Sequence, residues 1–142
     1  MTYDIAVPEN FTWGAEGLTM LLAAETSAGN AASFVKLKLR PGSGGGNGEA
    51  TLETKFSAQG YATGTKWYGA PGFSNNKKMN KISVTIKKSG ERLQVYIDTN
   101  KIADYEKAVP ATIIFNALSF DCSGNSADSD KYFMSNLKIT KE

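Results

Sequence analysis

Apolar and polar residues alternate through the second half of the chain, where Ile82, Val84 and Ile86 are interleaved with Ser83, Thr85 and Lys87. A period of two puts the three apolar side chains on one face, which predicts a half-buried β-strand. After Lys88-Ser89-Gly90-Glu91 the pattern resumes, with Leu93, Val95 and Ile97 set against Gln94, Tyr96 and Asp98. The glycine-containing turn joins the two runs as an antiparallel hairpin. The polar stretch Asp98-Thr99-Asn100-Lys101 predicts a second tight turn, and Ile102 to Tyr105 a short returning strand. This three-stranded meander would lay its apolar side against a second sheet.

Upstream, Val35, Leu37 and Leu39 alternate with Lys36, Lys38 and Arg40, and Leu52, Thr54 and Phe56 alternate with Glu53 and Lys55. Between these two strands the glycine-rich segment Pro41 to Gly48 reads as a long hairpin loop rather than an interdomain linker. It does not read as a phosphate cradle, which needs a following helix with Lys and Ser or Thr at its start. Ile113 to Phe120 is apolar on both faces and predicts a strand central to its sheet and covered by the other. The last strand, Tyr132 to Thr140, places Phe133, Leu137 and Ile139 on one side. With Leu18 to Glu25 and a short strand near Tyr3 to Val7, about nine strands and no amphipathic helix emerge. The expected fold is all-β, a two-sheet antiparallel sandwich with no substantial helix.

Composition fits one domain spanning residues 1–142, since this length buries a core without disulfides or metal staples. Sixteen basic and 14 acidic residues leave a formal charge of +2, too weak a field to draw in nucleic acid or an anionic membrane. Charge is uneven along the chain: Asp4, Glu9, Glu16 and Glu25 precede any base, and Lys77, Lys78, Lys81, Lys87 and Lys88 crowd a later stretch. Solvated outer faces of strands account for this better than a binding patch. Cys122 is the only cysteine and there is no histidine, which removes Ser-His and Cys-His nucleophile pairs and the commonest zinc ligand. Leu18 to Ala24, the longest apolar stretch, is far too short to cross a bilayer, and the first residues lack the basic start of a leader peptide. No membrane insertion by this domain is expected.

The order Lys81 to Ile86, turn, Arg92 to Asp98, turn, then Lys131-Tyr132-Phe133-Met134-Ser135-Asn136-Leu137-Lys138-Ile139 resembles the laminin-G-like, concanavalin A-like jelly-roll superfamily. In particular it is similar to the extra domain of bacterial outer-membrane proteins of the A family, and Pro8-Glu9-Asn10-Phe11-Thr12 resembles that family's lead-in to an early strand. The resemblance implies a jelly roll excised from a longer protein of the bacterial cell envelope, in the periplasm, outer membrane or cell surface. Such domains begin with a further strand carrying tryptophan and glycines, of which Tyr3 to Val7 looks like a remnant. An exposed edge would then invite a dimer or an added partner strand.

Relatives on this fold include glycoside hydrolases, whose retaining mechanism needs two carboxyls about 5 Å apart. Glu49 and Glu53 are the nearest pair, but four residues of strand separate them by roughly 13 Å. A glycanase-like domain that lost its carboxylate pair is the most that enzymatic reading retains. Asp121, Asn125, Asp128 and Asp130, with Ser123 and Ser129, offer hard oxygen ligands that suit calcium, without the spacing of an EF-hand. No cofactor is otherwise required. Tyr61, Trp67, Tyr68, Asn75 and Asn76 combine aromatic rings with amides in the way sugar sites do, although rings of this size also cap cores. Trp13 is expected inside. Lys66-Trp67-Tyr68 with Lys77, Lys78 and Lys81 has the look of a nucleic-acid site, which the near-neutral balance argues against. The expectation is a non-catalytic recognition or accessory domain with carbohydrate as ligand. The alternative is a structural or protein-interaction domain that binds no sugar.

Overall fold

The computed structural model describes residues 1–8, 11, 13, 17–25, 31–41, 48–55, 65–70, 79–121 and 132–140. Among them are ten strands: β1 (Thr2–Val7), β2 (Leu18–Glu25), β3 (Ala31–Pro41), β4 (Gly48–Lys55), β5 (Thr65–Ala70), β6 (Met79–Ser89), β7 (Arg92–Ile97), β8 (Asn100–Tyr105), β9 (Ala117–Asp121) and β10 (Phe133–Lys138). They form two antiparallel five-stranded sheets, one ordered β10-β1-β6-β7-β8 and the other β5-β4-β3-β2-β9. The chain is an all-β sandwich, as its alternation requires.

The meander β6-β7-β8 forms where the pattern places it. Gly90 turns the first hairpin at a φ of 57°, which glycine adopts at little steric cost. Asp98 turns the second at 53°. Its carboxylate Oδ1 accepts the Ser83 backbone N–H at 2.9 Å, and its own N–H donates to the Ser83 carbonyl at 2.7 Å. These two cross-strand bonds to β6 hold the left-handed residue in place, a conformation that aspartate tolerates better than most. On the other sheet, Gly17 enters β2 at a φ of 66°, and a Cβ there would collide with the Leu39 carbonyl oxygen. Glycine is required by both dihedral and space.

The core lies between the sheets. Tyr3, Ile5, Val7, Ile82, Val84, Ile86, Leu93, Val95 and Ile97 come from one, and Leu18, Met20, Val35, Leu37, Leu39, Ala50 and Leu52 from the other. Each large side chain among them contributes about 1.5–3 kcal/mol by leaving water. The Tyr3 ring meets Phe120 edge to face, with centroids 5.1 Å apart, joining β1 to β9 across the sandwich. Burial pushes the Tyr3 hydroxyl well above the usual tyrosine range. Trp13 packs against the core, its ring edge to face with Phe11.

Four expectations change. Ile113 to Phe120 is not a central strand: only Ala117–Asp121 is extended, and β9 ends its sheet beside β2. Before it the chain turns, with the Ile113 N–H donating to the Pro110 carbonyl; the Asn116 N–H then donates across to the Ala23 carbonyl of β2, and Ile114 between them is 80% exposed. Apolarity on both faces marks a strand without saying how many neighbours it has. Thr65–Ala70, flanked by glycine and proline and outside the strands that the alternation predicts, is a strand through its ladder with β4. β1 is an inner strand between β10 and β6 and exposes no edge of its own. In β10, finally, the pairing shifts between Asp4↔Ser135 and Thr2↔Lys138, a bulge around Asn136, whose φ is 55°. The extra residue puts Phe133 on the outer face and Leu137 and Ile139 on the inner one.

Candidate functional site

The outer face of β6-β7-β8 gathers polar side chains around an aromatic ring. Alternation that buries Leu93, Val95 and Ile97 turns Arg92, Gln94 and Tyr96 outward. The register then sets Tyr96 between Thr85 and Lys101, and Gln94 between Lys87 and Asp104. A half-buried phenol ring therefore lies on the sheet within a border of polar groups. The Lys87 ammonium sits 5.2 Å from the Tyr96 ring centroid, within cation–π range. The Tyr96 hydroxyl donates to Gln94 Oε1 at 3.4 Å, a long bond.

Asp104 is the hub. Its Oδ1 accepts Arg92 Nε at 2.7 Å, and its Oδ2 accepts Arg92 Nη2 at 2.9 Å, Gln94 Nε2 at 2.9 Å and Lys101 Nζ at 2.7 Å. The bidentate guanidinium first, then Lys101 and Gln94, hold its carboxyl well below the usual carboxylate range. Arg92 and Lys101 are raised in turn, each chiefly through its bond to Asp104. A carboxylate this firmly ionised is a fixed acceptor and an unsuitable proton donor, whereas a general acid needs a raised pKa. The arrangement orients hydrogen-bonding groups around a ring.

A second polar group on the same face ties three strands together. Asp4 on β1 accepts Ser83 Oγ of β6 at 2.5 Å and Asn136 Nδ2 of β10 at 2.7 Å, with Lys81 Nζ 3.4 Å away. Those bonds, Ser83 first, hold its carboxyl below the ordinary range. On the other sheet, Glu49 is buried against Arg40 at 2.7 Å, and Glu53 pairs with Lys36 at 3.2 Å and Lys38 at 3.9 Å. The two carboxylates are thus engaged by different cations of β3.

Of the residues singled out for sugar binding, Trp67 and Tyr68 fall on β5, at the end of its sheet, in register with Ala50 and Glu49. Ala50 and Glu49 belong to opposite faces of β4. Tyr61, Asn75 and Asn76 lie outside the described residues, as do Asn125, Asp128 and Asp130 of the calcium candidate. Asp121 is described, exposed at the end of β9. Among the described residues no group of three acidic or other ligating side chains gathers closely enough to hold a metal ion. The cleft between Tyr3, Met20, Phe120 and Tyr132 has about 10 Å³ of space, room for roughly one water and no ligand.

Sequence reasoning passed over Arg92, Gln94, Tyr96, Lys101 and Asp104. Their signal was present, since the polar positions of a half-buried strand always share a face. What was missing was the register that brings Asp104 of β8 to Arg92 and Gln94 of β7. No protein-family model matches the chain, and no curated protein is similar enough to it to count as a match.

Proposed function

We propose that this chain is a non-catalytic recognition domain that binds carbohydrate on the outer face of β6-β7-β8. The observation that carries the reading is the Tyr96 ring bordered by Gln94, Arg92, Asp104, Lys101 and Lys87. Sugars bind by stacking C–H faces on such a ring while guanidinium, amide and carboxylate groups meet their hydroxyls. The mutual bonds of those groups hold them in place before a ligand arrives, which lowers the entropy lost on binding. The non-catalytic reading rests on the absence of histidine and on the engagement of Asp104, Glu49 and Glu53 by cations. The jelly-roll arrangement, and a place in a bacterial envelope protein, rest on the resemblance of Pro8 to Thr12, Lys81 to Asp98 and Lys131 to Ile139.

A glycan array tests the proposal, run with calcium and with chelator on the wild type and on the single variants Tyr96→Ala, Trp67→Ala and Tyr68→Ala. The expected result is binding that Tyr96→Ala weakens about tenfold or more, the loss equivalent to about 1.4 kcal/mol of stacking. Binding lost only in the Trp67 or Tyr68 variants moves the site to β5, and loss with chelator brings in calcium near Asp121. No binding in any arm overturns the carbohydrate reading for the glycans tested.

A further inference from the structure

β10 combines features that a folded domain rarely leaves together. It ends its sheet, pairing with β1 alone among the described residues. It also exposes Phe133 at 61%, Met134 at 39% and Leu137 at 46%, with Ile139 just beyond at 64%. The cause is an offset between the layers. Tyr3 of β1 packs on Phe120 of β9, and β9 is the last strand of its own sheet among the described residues. β10, one strand farther out, therefore overhangs. Met134 shares the inner face with Ile5 yet stays exposed. Edge strands are ordinarily protected by charges, prolines or cover; β10 has one charge, Lys138, and the bulge at Asn136.

We infer that two copies of this chain associate along β10, antiparallel about a two-fold axis, so that their five-stranded sheets run on as one. The residues of β10 favour a second copy as the occupant. With the axis between Ser135 and Asn136, Met134 falls opposite the partner's Leu137, an apolar pair repeated on the other side of the axis. Lys138, the strand's only ionised side chain, falls opposite the partner's Phe133, where it meets a ring and not a second lysine. Such a contact uses one patch twice and closes after two copies, consuming the edge instead of extending it. The Tyr96 face lies toward the other end of the sheet, so this association neither needs nor blocks the proposed sugar site.

Sedimentation equilibrium from about 1 to about 200 μM, where small interfaces associate, is the test, on the wild type and on the Met134→Lys/Leu137→Lys double variant. Both positions are exposed, so a matching thermal melt serves as the folding control. The wild type is expected to double its mass with rising concentration and the variant to stay monomeric. Hydrogen exchange of the amides of residues 133–138 should slow with concentration in the wild type alone. A monomer throughout overturns the inference, as does a dimer that survives the lysines, or concentration-dependent protection confined to β5, β8 or β9. None of these outcomes bears on the glycan array, which reads Tyr96.

Discussion

Thr54 points into the core from β4, opposite Val35, only 4% exposed, and its hydroxyl oxygen has no hydrogen-bond partner among the described residues. A buried hydroxyl that leaves water without a replacement bond costs about 1–3 kcal/mol, while the shape of the side chain is that of valine. Thr54→Val is therefore expected to stabilise the domain by about 1 kcal/mol, and Thr54→Ser, which keeps the hydroxyl and loses the methyl, to destabilise it. Urea denaturation of the two variants checks this, and a less stable valine variant would mean that the hydroxyl has a partner. At the same scale Tyr96 and Asp104 show how one sheet face separates roles: the ring supplies surface, and the carboxylate fixes the donors around it.

Among the elements, β10 adds a side-chain tie to its ladder with β1. Asn136 takes a left-handed backbone and donates its amide to Asp4, which also accepts from Ser83, so one carboxylate links β10, β1 and β6. Asn136→Gly keeps the backbone conformation and loses the tie; Asn136→Ala loses both. The alanine variant is expected to be less stable than the glycine variant by about 1 kcal/mol, the cost of a side chain in the left-handed region. In both, the amides of β10 should exchange faster while those of β6 and β7 hold. Equal stability of the two variants would show that the bulge relaxes when the tie is gone. The meander, by contrast, is secured along its whole length by core residues on alternate positions of β6 and β7.

For the whole molecule, the ion pairs set a direction for acid stability. The carboxyls of Asp4 and Asp104 are lowered in the folded chain relative to their ordinary value. A carboxylate depressed on folding contributes stability that is complete above its unfolded pKa, about 3.9, and is lost as pH falls below it toward the folded value. Melting temperature is therefore expected to hold near neutrality and drop below about pH 4. Asp104→Asn should lower it at neutral pH and flatten the acid decline. Circular-dichroism melts from about pH 7 to about pH 2 check both; an unchanged acid slope in the variant would remove Asp104 from the account. The layer offset also acts at this scale, because it fixes which strand overhangs and hence where a second copy would bind.

Alternation in the amino-acid sequence determined the all-β class, the meander of β6 to β8, the β3-β4 pairing and the identity of most core residues, since a period of two dictates which side chains can leave water together. The tertiary structure decided what depends on neighbours. Whether Ala117–Asp121 is central or at an edge, whether Thr65–Ala70 is a strand, and where the β10 bulge sends Phe133 are settled by pairing partners distant in the chain. The same holds for the candidate site. Arg92, Gln94, Tyr96, Lys101 and Asp104 are ordinary polar positions until register places them on one face, because a hydrogen bond is made by proximity, and the pattern along a strand specifies its faces but not its neighbours.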